Sequence, residues 1–371
     1  MVKRLLIIGI VLSCMAVLDI SSYAQEPPKV ELHGFLLART MVTNSNYTER
    51  IDRFGLQLKE NMNEEFNWLT EIYVHPTETT NPAARLYMES AYLNWNLKNR
   101  VPWDLTVRIG KGRNFTYGIT PSYSSRRTTE YSLYSEAFTQ VRVLGFQTFS
   151  NFGPVQVAVA LINPYTCATA AAKNSRPVPD FPIAINDTTT YLRIPITDRD
   201  NDNNQIQRVA ISGRLGYKVK GLNVGADLYM SELGPAKLFT DKENKQNRYG
   251  VDGELKLPCG FLAQVQYTQA KTLSYDHSGG EALVGWESIK FCPKLSVYGR
   301  YGMLAYKDDV FQGMNQTMFS AVYKIHPRIH LRLEGLLNGE TTGTTNKITG
   351  KENNFKKFNN DVILFETMFA W

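Results

Sequence analysis

Arg208-Val-Ala-Ile-Ser-Gly-Arg-Leu-Gly-Tyr217 and Leu222-Asn-Val-Gly-Ala-Asp-Leu-Tyr-Met230 alternate residue by residue. In the first stretch Val209, Ile211, Leu215 and Tyr217 share one parity, and Arg208, Ser212 and Arg214 the other. In the second, Leu222, Val224, Leu228 and Met230 alternate with Asn223, Asp227 and Tyr229. A period of two is the mark of a strand with two unlike faces. Residues 248–257 repeat it with Arg248, Asp252, Glu254 and Lys256 on one face, and 103–110, 155–161, 295–303 and 329–335 follow. A soluble sandwich of this length would also contain strands apolar on both faces. Here nearly every strand is half apolar and half charged or small, which suits a sheet with hydrocarbon on one side and water on the other.

About sixteen such segments are legible. They centre on residues 30–42, 50–59, 65–75, 86–97, 103–112, 137–149, 154–163, 206–218, 222–231, 247–257, 260–270, 281–291, 294–305, 316–325, 328–337 and 362–371. The phase is ambiguous in 86–97, where Glu89 shares parity with Ala91, Leu93 and Trp95, and it switches in 137–149 and 281–291. A bulge in each would restore it. Short and long connections alternate, the long ones including about 113–136, about 164–205 and 271–280. Reading 164–205 as a linker between two domains is the alternative. The same pattern on both sides of it favours one barrel, an all-β transmembrane antiparallel fold closed on itself.

The N-terminus predicts export. Lys3 and Arg4 precede an apolar run from Leu5 to Leu18, and Ser22-Tyr23-Ala24 suits cleavage before Gln25. Residues 1–24 are read as a signal peptide and 25–371 as the barrel. An uncleaved anchor and lipid attachment at Cys14 are the alternatives. The apolar run is shorter than the roughly 18–20 residues of a helical span, and none that long follows.

The 371 residues carry 41 Lys and Arg against 35 Asp and Glu, a net charge of +6, with a mean hydropathy of −0.29. The charges are dispersed, so no basic block points to nucleic acid. Aromatic residues form 12% of the chain. Trp103, Tyr217, Tyr323 and Trp371 fall near expected strand ends with outward parity, as an interfacial girdle requires. Ile363, Phe365, Thr367, Phe369 and Trp371 alternate to the last residue. That run resembles the signal read by the bacterial barrel-assembly machinery, with Phe365, Phe369 and Trp371 carrying it.

Three stretches resemble a known family. Val30-Glu-Leu-His-Gly-Phe-Leu-Leu-Ala-Arg39 looks like a porin opening strand. Ala91-Tyr-Leu-Asn-Trp95 with Val107-Arg-Ile-Gly-Lys-Gly-Arg-Asn-Phe-Thr-Tyr-Gly118 resembles the fourth and fifth strands of porins of the phosphate-selective O and P type. Tyr134-Ser-Glu-Ala-Phe138 and Arg142-Val-Leu-Gly145 resemble the segment after that family's constriction loop. The matches end by residue 145. The resemblance implies a sixteen-stranded homotrimer in the bacterial outer membrane, with the third external loop, about 113–136, folded into the barrel. It implies passive diffusion of small hydrophilic solutes, phosphate among the candidate anions.

The loop carries Arg113, Arg126, Arg127, Glu130 and Glu136, and Arg108 points inward by parity on the strand before it. Arg39, Arg53, Arg142, Arg208, Arg214, Arg248, Arg300 and Arg332 are also expected to face inward. Acids expected beside them are Glu31, Glu71, Asp104, Asp227, Asp252, Glu254 and Glu334. Fixed cations in a narrow aperture concentrate anions. Weak to moderate preference for small anionic solutes is expected, carried by Arg108, Arg113, Arg126 and Arg127 with help from Arg39 and Arg53. A balanced lining with little selectivity is the alternative. A barrel serving chiefly as receptor or adhesin through its external loops is another.

Cys259 and Cys292 have indices centred on the middle of the expected 271–280 loop, which predicts a disulfide between adjacent strands in an oxidising compartment. Cys167 has no evident partner. His33, His75, His277, His326 and His330 are scattered, and no metal or cofactor is expected. Gly110-Lys-Gly112 lacks the third glycine of a dinucleotide loop. No G-x-S-x-G or phosphate-loop motif occurs, and no catalytic constellation can be assembled.

Overall fold

The computed structural model describes residues 30–43, 47–75, 85–117, 119, 127–128, 132–139, 142–163, 167–171, 181–184, 190–197, 209–232, 245–272, 275–306, 311–342 and 361–371. The expected signal peptide and Cys14 lie outside them.

Alternation is realised as long antiparallel strands. In chain order these are β1 (Val30–Thr43), β2 (Tyr47–Asn61), β3 (Phe66–His75), β4 (Arg85–Asn96), β5 (Asp104–Arg113), β6 (Arg142–Phe152) and β7 (Val155–Ile162). After β8 (Cys167–Ala171), β9 (Phe181–Ala184) and β10 (Thr190–Thr197) come β11 (Ala210–Val219), β12 (Leu222–Glu232), β13 (Lys245–Lys256) and β14 (Phe261–Thr272). The last are β15 (Tyr275–Trp286), β16 (Leu295–Tyr306), β17 (Phe311–His326), β18 (Ile329–Thr342) and β19 (Val362–Ala370). All except β8–β10 form one closed antiparallel barrel of sixteen strands, each paired with its neighbours along the chain. β8, β9 and β10 make a separate three-stranded sheet within the stretch expected to be a plain loop.

Closure is made by β1 and β19, in register from Phe35↔Ala370 to Thr43↔Val362. One step further, the Gly34 amide donates to the Trp371 carbonyl at 3.1 Å, and the Trp371 amide to the Gly34 carbonyl at 3.0 Å. The Trp371 indole lies over Gly34 so closely that a Cβ there would fall 2.2 Å from the ring. Closure leaves no edge with unpaired amides, the condition for a sheet to sit in hydrocarbon.

The burial pattern is inverted relative to a water-soluble protein. On β13, Gln246, Arg248 and Asp252 are buried, while Tyr249 is 58% and Val251 54% exposed. On β14, Gln264, Gln266 and Thr268 are buried and Val265 and Tyr267 exposed. The expected girdle residues Trp103, Tyr217, Tyr323 and Trp371 are all exposed, as are Phe365 and Phe369. Polar side chains inside and apolar side chains outside is the arrangement of a barrel whose outer face meets lipid.

Seven connections of eight residues or fewer, from β2–β3 to β17–β18, share one rim, the short-turn rim; the other rim carries the long ones, together with short connections at β1–β2, β14–β15 and β16–β17. Lys220-Gly221 joins β11 to β12 in two residues, with Gly221 at φ +79°, as a tight hairpin turn requires. The bulge expected in 86–97 is present: Glu71 pairs with Ser90 and Ile72 with Met88, leaving Glu89 as the extra residue. The other two expected bulges are absent. β6 begins only at Arg142, after a π-helical turn at Ser135–Thr139, so the apparent phase change was the helix-to-strand junction. β15 keeps one register throughout, from Thr272↔Tyr275 to Phe261↔Trp286.

That register also corrects two expectations. The connection expected at 271–280 shrinks to residues 273–274, because β14 runs on to Thr272 and β15 begins at Tyr275, with Gly279-Gly280 inside the strand. The predicted disulfide then loses its geometry. The hairpin pairs each residue with the one at 547 minus its number, which sets position 259 opposite 288 rather than 292. Cys259 lies in the β13–β14 turn, Cys292 in the β15–β16 turn, and both are free cysteines.

Candidate functional site in the barrel lumen

Arg39, Arg53, Arg108, Arg142, Arg214, Arg248, Arg300 and Arg332 are all buried. Arg208 lies outside the described residues. Of the acids, Glu71, Asp252 and Glu334 are buried, Glu31, Asp227 and Glu254 half-buried, and Asp104 exposed at the rim.

These cations are held in different ways. Arg39 on β1 and Arg332 on β18 share the carboxylate of Glu366 on β19, at 3.0 and 2.6 Å. Glu366 is fully buried. Arg214 on β11 reaches across β12 to Asp252 on β13, with bonds of 3.2 and 2.5 Å. It passes over Gly216 and Gly225, where a Cβ would come within 2.4 and 2.3 Å of the guanidinium. Arg142 pairs with Glu89, the bulged residue of β4. Glu71 accepts from the Tyr73 hydroxyl at 2.7 Å and from Ser90 at 3.4 Å.

Arg108 is different. Its guanidinium carbon lies 3.6 Å from the Tyr92 ring centroid and 4.0 Å from that of Phe115, and its Nε donates to Asn94 Oδ1 at 2.9 Å. β4 supplies Tyr92 and Asn94, while Phe115 follows β5 directly. Cation–π contact with two rings orients the group without neutralising it. Arg53 sits 5.4 Å from the Tyr73 ring centroid.

The segment between β5 and β6 contacts distant strands. The Ile119 amide donates to Gln266 on β14 at 3.3 Å, and Gln266 donates back to the Ile119 carbonyl at 3.1 Å. Arg300 on β16 donates to Thr128 at 2.9 Å and to Gln316 at 3.1 Å. The Tyr134 hydroxyl pairs with Thr268 at 2.8 Å, and Arg248 donates to the Phe138 carbonyl at 3.1 Å. Phe138 also stacks on His277, centroids 5.8 Å apart. Arg127 binds Glu287 at 2.7 Å and approaches Glu254 at 3.6 Å. Burial pushes the Glu287 carboxyl up, but the hydrogen bond and charge of Arg127, with Lys256 and Lys324, bring it below the ordinary carboxylate value.

Of the other expected loop residues, Arg113 is half-buried at the end of β5. Arg126 and Glu130 lie outside the described residues, as does the side chain of Glu136. Sequence reasoning missed Glu366, Tyr92, Asn94, Phe115 and Gln266 as parts of this lining. Glu366 was legible in principle, since it stands at the opposite parity to Phe365 and Thr367. Among the described residues no group of three His, Cys, Asp or Glu side chains is placed to hold a metal ion.

No protein-family model and no curated sequence matches the chain. Solved structures do. OmpT of Vibrio cholerae superposes with a TM-score of 0.58 at 13% identity, over 94% of this chain and 99% of that one. OmpF of Salmonella typhi, in a complex with daunomycin, gives 0.59 at 9% identity, over 93% and 98%. An anion-selective porin from Comamonas acidovorans gives 0.54 at 12% identity, over 93% and 100%. At such identities the likeness is one of architecture. The chain has the sixteen-stranded barrel fold of the outer-membrane porins.

Proposed function

We propose that this chain is an outer-membrane porin, a passive aqueous channel for small hydrophilic solutes and not an enzyme. The observation that carries the reading is the inverted burial on an edgeless ring of sixteen strands. A ring of that size encloses an aqueous lumen unless something fills it. On this reading residues 1–24 direct export and are removed, the short-turn rim faces the periplasm, and the assembly machinery recognises Phe365, Phe369 and Trp371.

Residues 113–136 serve as the constriction. The Arg300–Thr128 bond supports this, because β16 stands eight strands from β5, halfway round the ring. Anion preference is weak and centred on Arg108, since Arg39, Arg142 and Arg214 each pair with a carboxylate. Phosphate is one candidate solute. A homotrimer is the proposed assembly; the Vibrio cholerae OmpT structures include one described as a trimer form.

Planar-bilayer recording tests the function. Stable ohmic channels are expected, with a reversal potential in a potassium chloride gradient displaced towards chloride. A barrel that inserts but does not conduct would remove the porin reading and leave the receptor reading. A displacement towards potassium would remove the anion preference.

A further inference from the structure

We propose that the lumen wall of β3–β6, in its short-turn half, is a binding site for a hydroxylated carboxylate, a sugar acid. This rests on the channel reading above and names the class of solute. Backbone pairing sets Asn67 opposite Asn94, Asn94 opposite Arg108 and Arg108 opposite Gln147, a straight belt across four strands. Two residues nearer the short-turn rim, a second belt joins Asn96, Thr106 and Phe149. On β7 both belts end on small residues, Ala160 and Ala158. Arg108 is the one charged side chain in the two belts.

These belts differ from the rest of the wall in what they show to water. The ion pairs of Arg39, Arg214 and Arg332 are buried, whereas Asn67, Asn94, Asn96, Phe115 and Phe149 are half-buried. A solute passing this wall therefore meets amides and rings. Asn67 accepts from the Asn94 amide at 2.9 Å, and Asn96 from the Thr106 hydroxyl at 3.1 Å. Among the described residues the NH2 groups of Asn67 and Asn96 have no other partner, so each keeps two donors for a ligand. Amides both donate and accept, and so do sugar hydroxyls; chloride or a simple carboxylate only accepts. Phe115 and Phe149, with ring centroids 5.8 Å apart, add apolar faces on which the C–H face of a sugar ring can pack. Arg108 commits its Nε to Asn94 and its faces to Tyr92 and Phe115, which leaves its Nη groups for a carboxylate. The belts stand about 7 Å apart along the strands. That is close to the span from the carboxylate of a hexuronate to its far hydroxyls. A neutral sugar would leave the cation unanswered, and a simple carboxylate would leave the amides unanswered.

The full chain, purified in detergent, is titrated with glucuronate, glucose or acetate, and binding is read from the ligand protons by saturation-transfer NMR. Glucuronate is expected to bind about tenfold more tightly than glucose, the worth of one charge-assisted hydrogen bond. Acetate should bind more weakly than glucuronate. Arg108→Ala should bring glucuronate to the level of glucose and leave glucose unchanged. Asn67→Leu combined with Asn96→Leu should weaken both sugars about fivefold for each amide removed, with no effect on acetate. Heat-modifiable migration in gels verifies that each variant is folded. Acetate or glucose bound as tightly as glucuronate, no binding of glucuronate at all, or wild-type glucuronate affinity in a folded variant of either kind would overturn the site. The NMR measurement does not depend on conduction. A barrel that conducts without preferring glucuronate removes this proposal and leaves the channel reading intact, while one that binds glucuronate but passes no current removes the channel reading alone.

Discussion

Two regions of the lumen wall place arginines in the same way and use them differently. At the seam, Arg39 and Arg332 converge on Glu366 and join the first strand to the last two. On the wall formed by β4 and β5, Arg108 is clamped between Tyr92 and Phe115 and meets an amide oxygen. The first arrangement spends its charge internally: three strands meet around one fully buried carboxylate, and the closure of the barrel passes through it. The second keeps its charge, because a ring quadrupole orients a cation without cancelling it. Parity alone makes all three residues alike. What separates an arginine neutralised in the wall from one that keeps its charge is the chemistry of the side chains packed against it.

The sharpest way to break that contrast is Glu366→Ala. Removing the shared acid takes from two buried guanidiniums the carboxylate that both bind, an event that costs about 3–5 kcal/mol. Urea unfolding in detergent, followed by heat-modifiable migration, should show a midpoint shift of that size. Unchanged stability would mean that the seam is held by its backbone ladder alone. Arg108→Ala should have a smaller effect on stability, about 2 kcal/mol or less for a desolvated cation–π contact. Its effect on the channel should be the larger one, with the reversal potential moving towards neutrality or cation preference. Arg108→Lys should not restore it fully, because an ammonium lacks the planar face that stacks between two rings. If Arg108→Ala keeps the wild-type reversal potential, the anion preference resides elsewhere.

The fold was legible because it is written in a local code, and the site less so because it is not. A period of two reveals strand, face and turn within a few residues, so β11, β12 and β13 begin and end within four residues of their expected limits. The code fails where polar or small residues interrupt it without ending the strand, as Gly279-Gly280 do in β15. That one misreading displaced the hairpin register and made Cys259 and Cys292 look like partners. Parity also located the buried arginines, but not their neighbours. Arg39 and Glu366 are 327 residues apart, and only ring closure at the β1–β19 register brings them together. The clamp on Arg108 needs Phe115, which stands two residues past the end of β5, where alternation carries no information.

The Arg127 latch lies between the two cases: it pairs with carboxylates, yet it belongs to the segment proposed to narrow the pore. Its bond to Glu287 is 2.7 Å, and the Glu287 side chain remains 39% exposed. An ion pair so open to solvent contributes under about 1 kcal/mol. The sign of its pH dependence follows from the depressed Glu287 carboxyl. Stabilisation is fully present above the ordinary value of 4.5 and is lost as pH falls through the lower folded-state value. Acid should therefore loosen the segment before the barrel itself unfolds. Single-channel traces should be quiet at neutral pH and gain brief current fluctuations below about pH 4.5. Glu287→Gln should show them at neutral pH, with little further change on acidification, since the titrating partner is gone. Glu254, 3.6 Å from Arg127, is the second acceptor and should retain part of the restraint, so the variant's fluctuations should be smaller than those of Arg127→Ala. Identical traces from all three proteins would show that the segment is held by its bonds to Gln266, Arg300 and Thr268 and owes nothing to the latch.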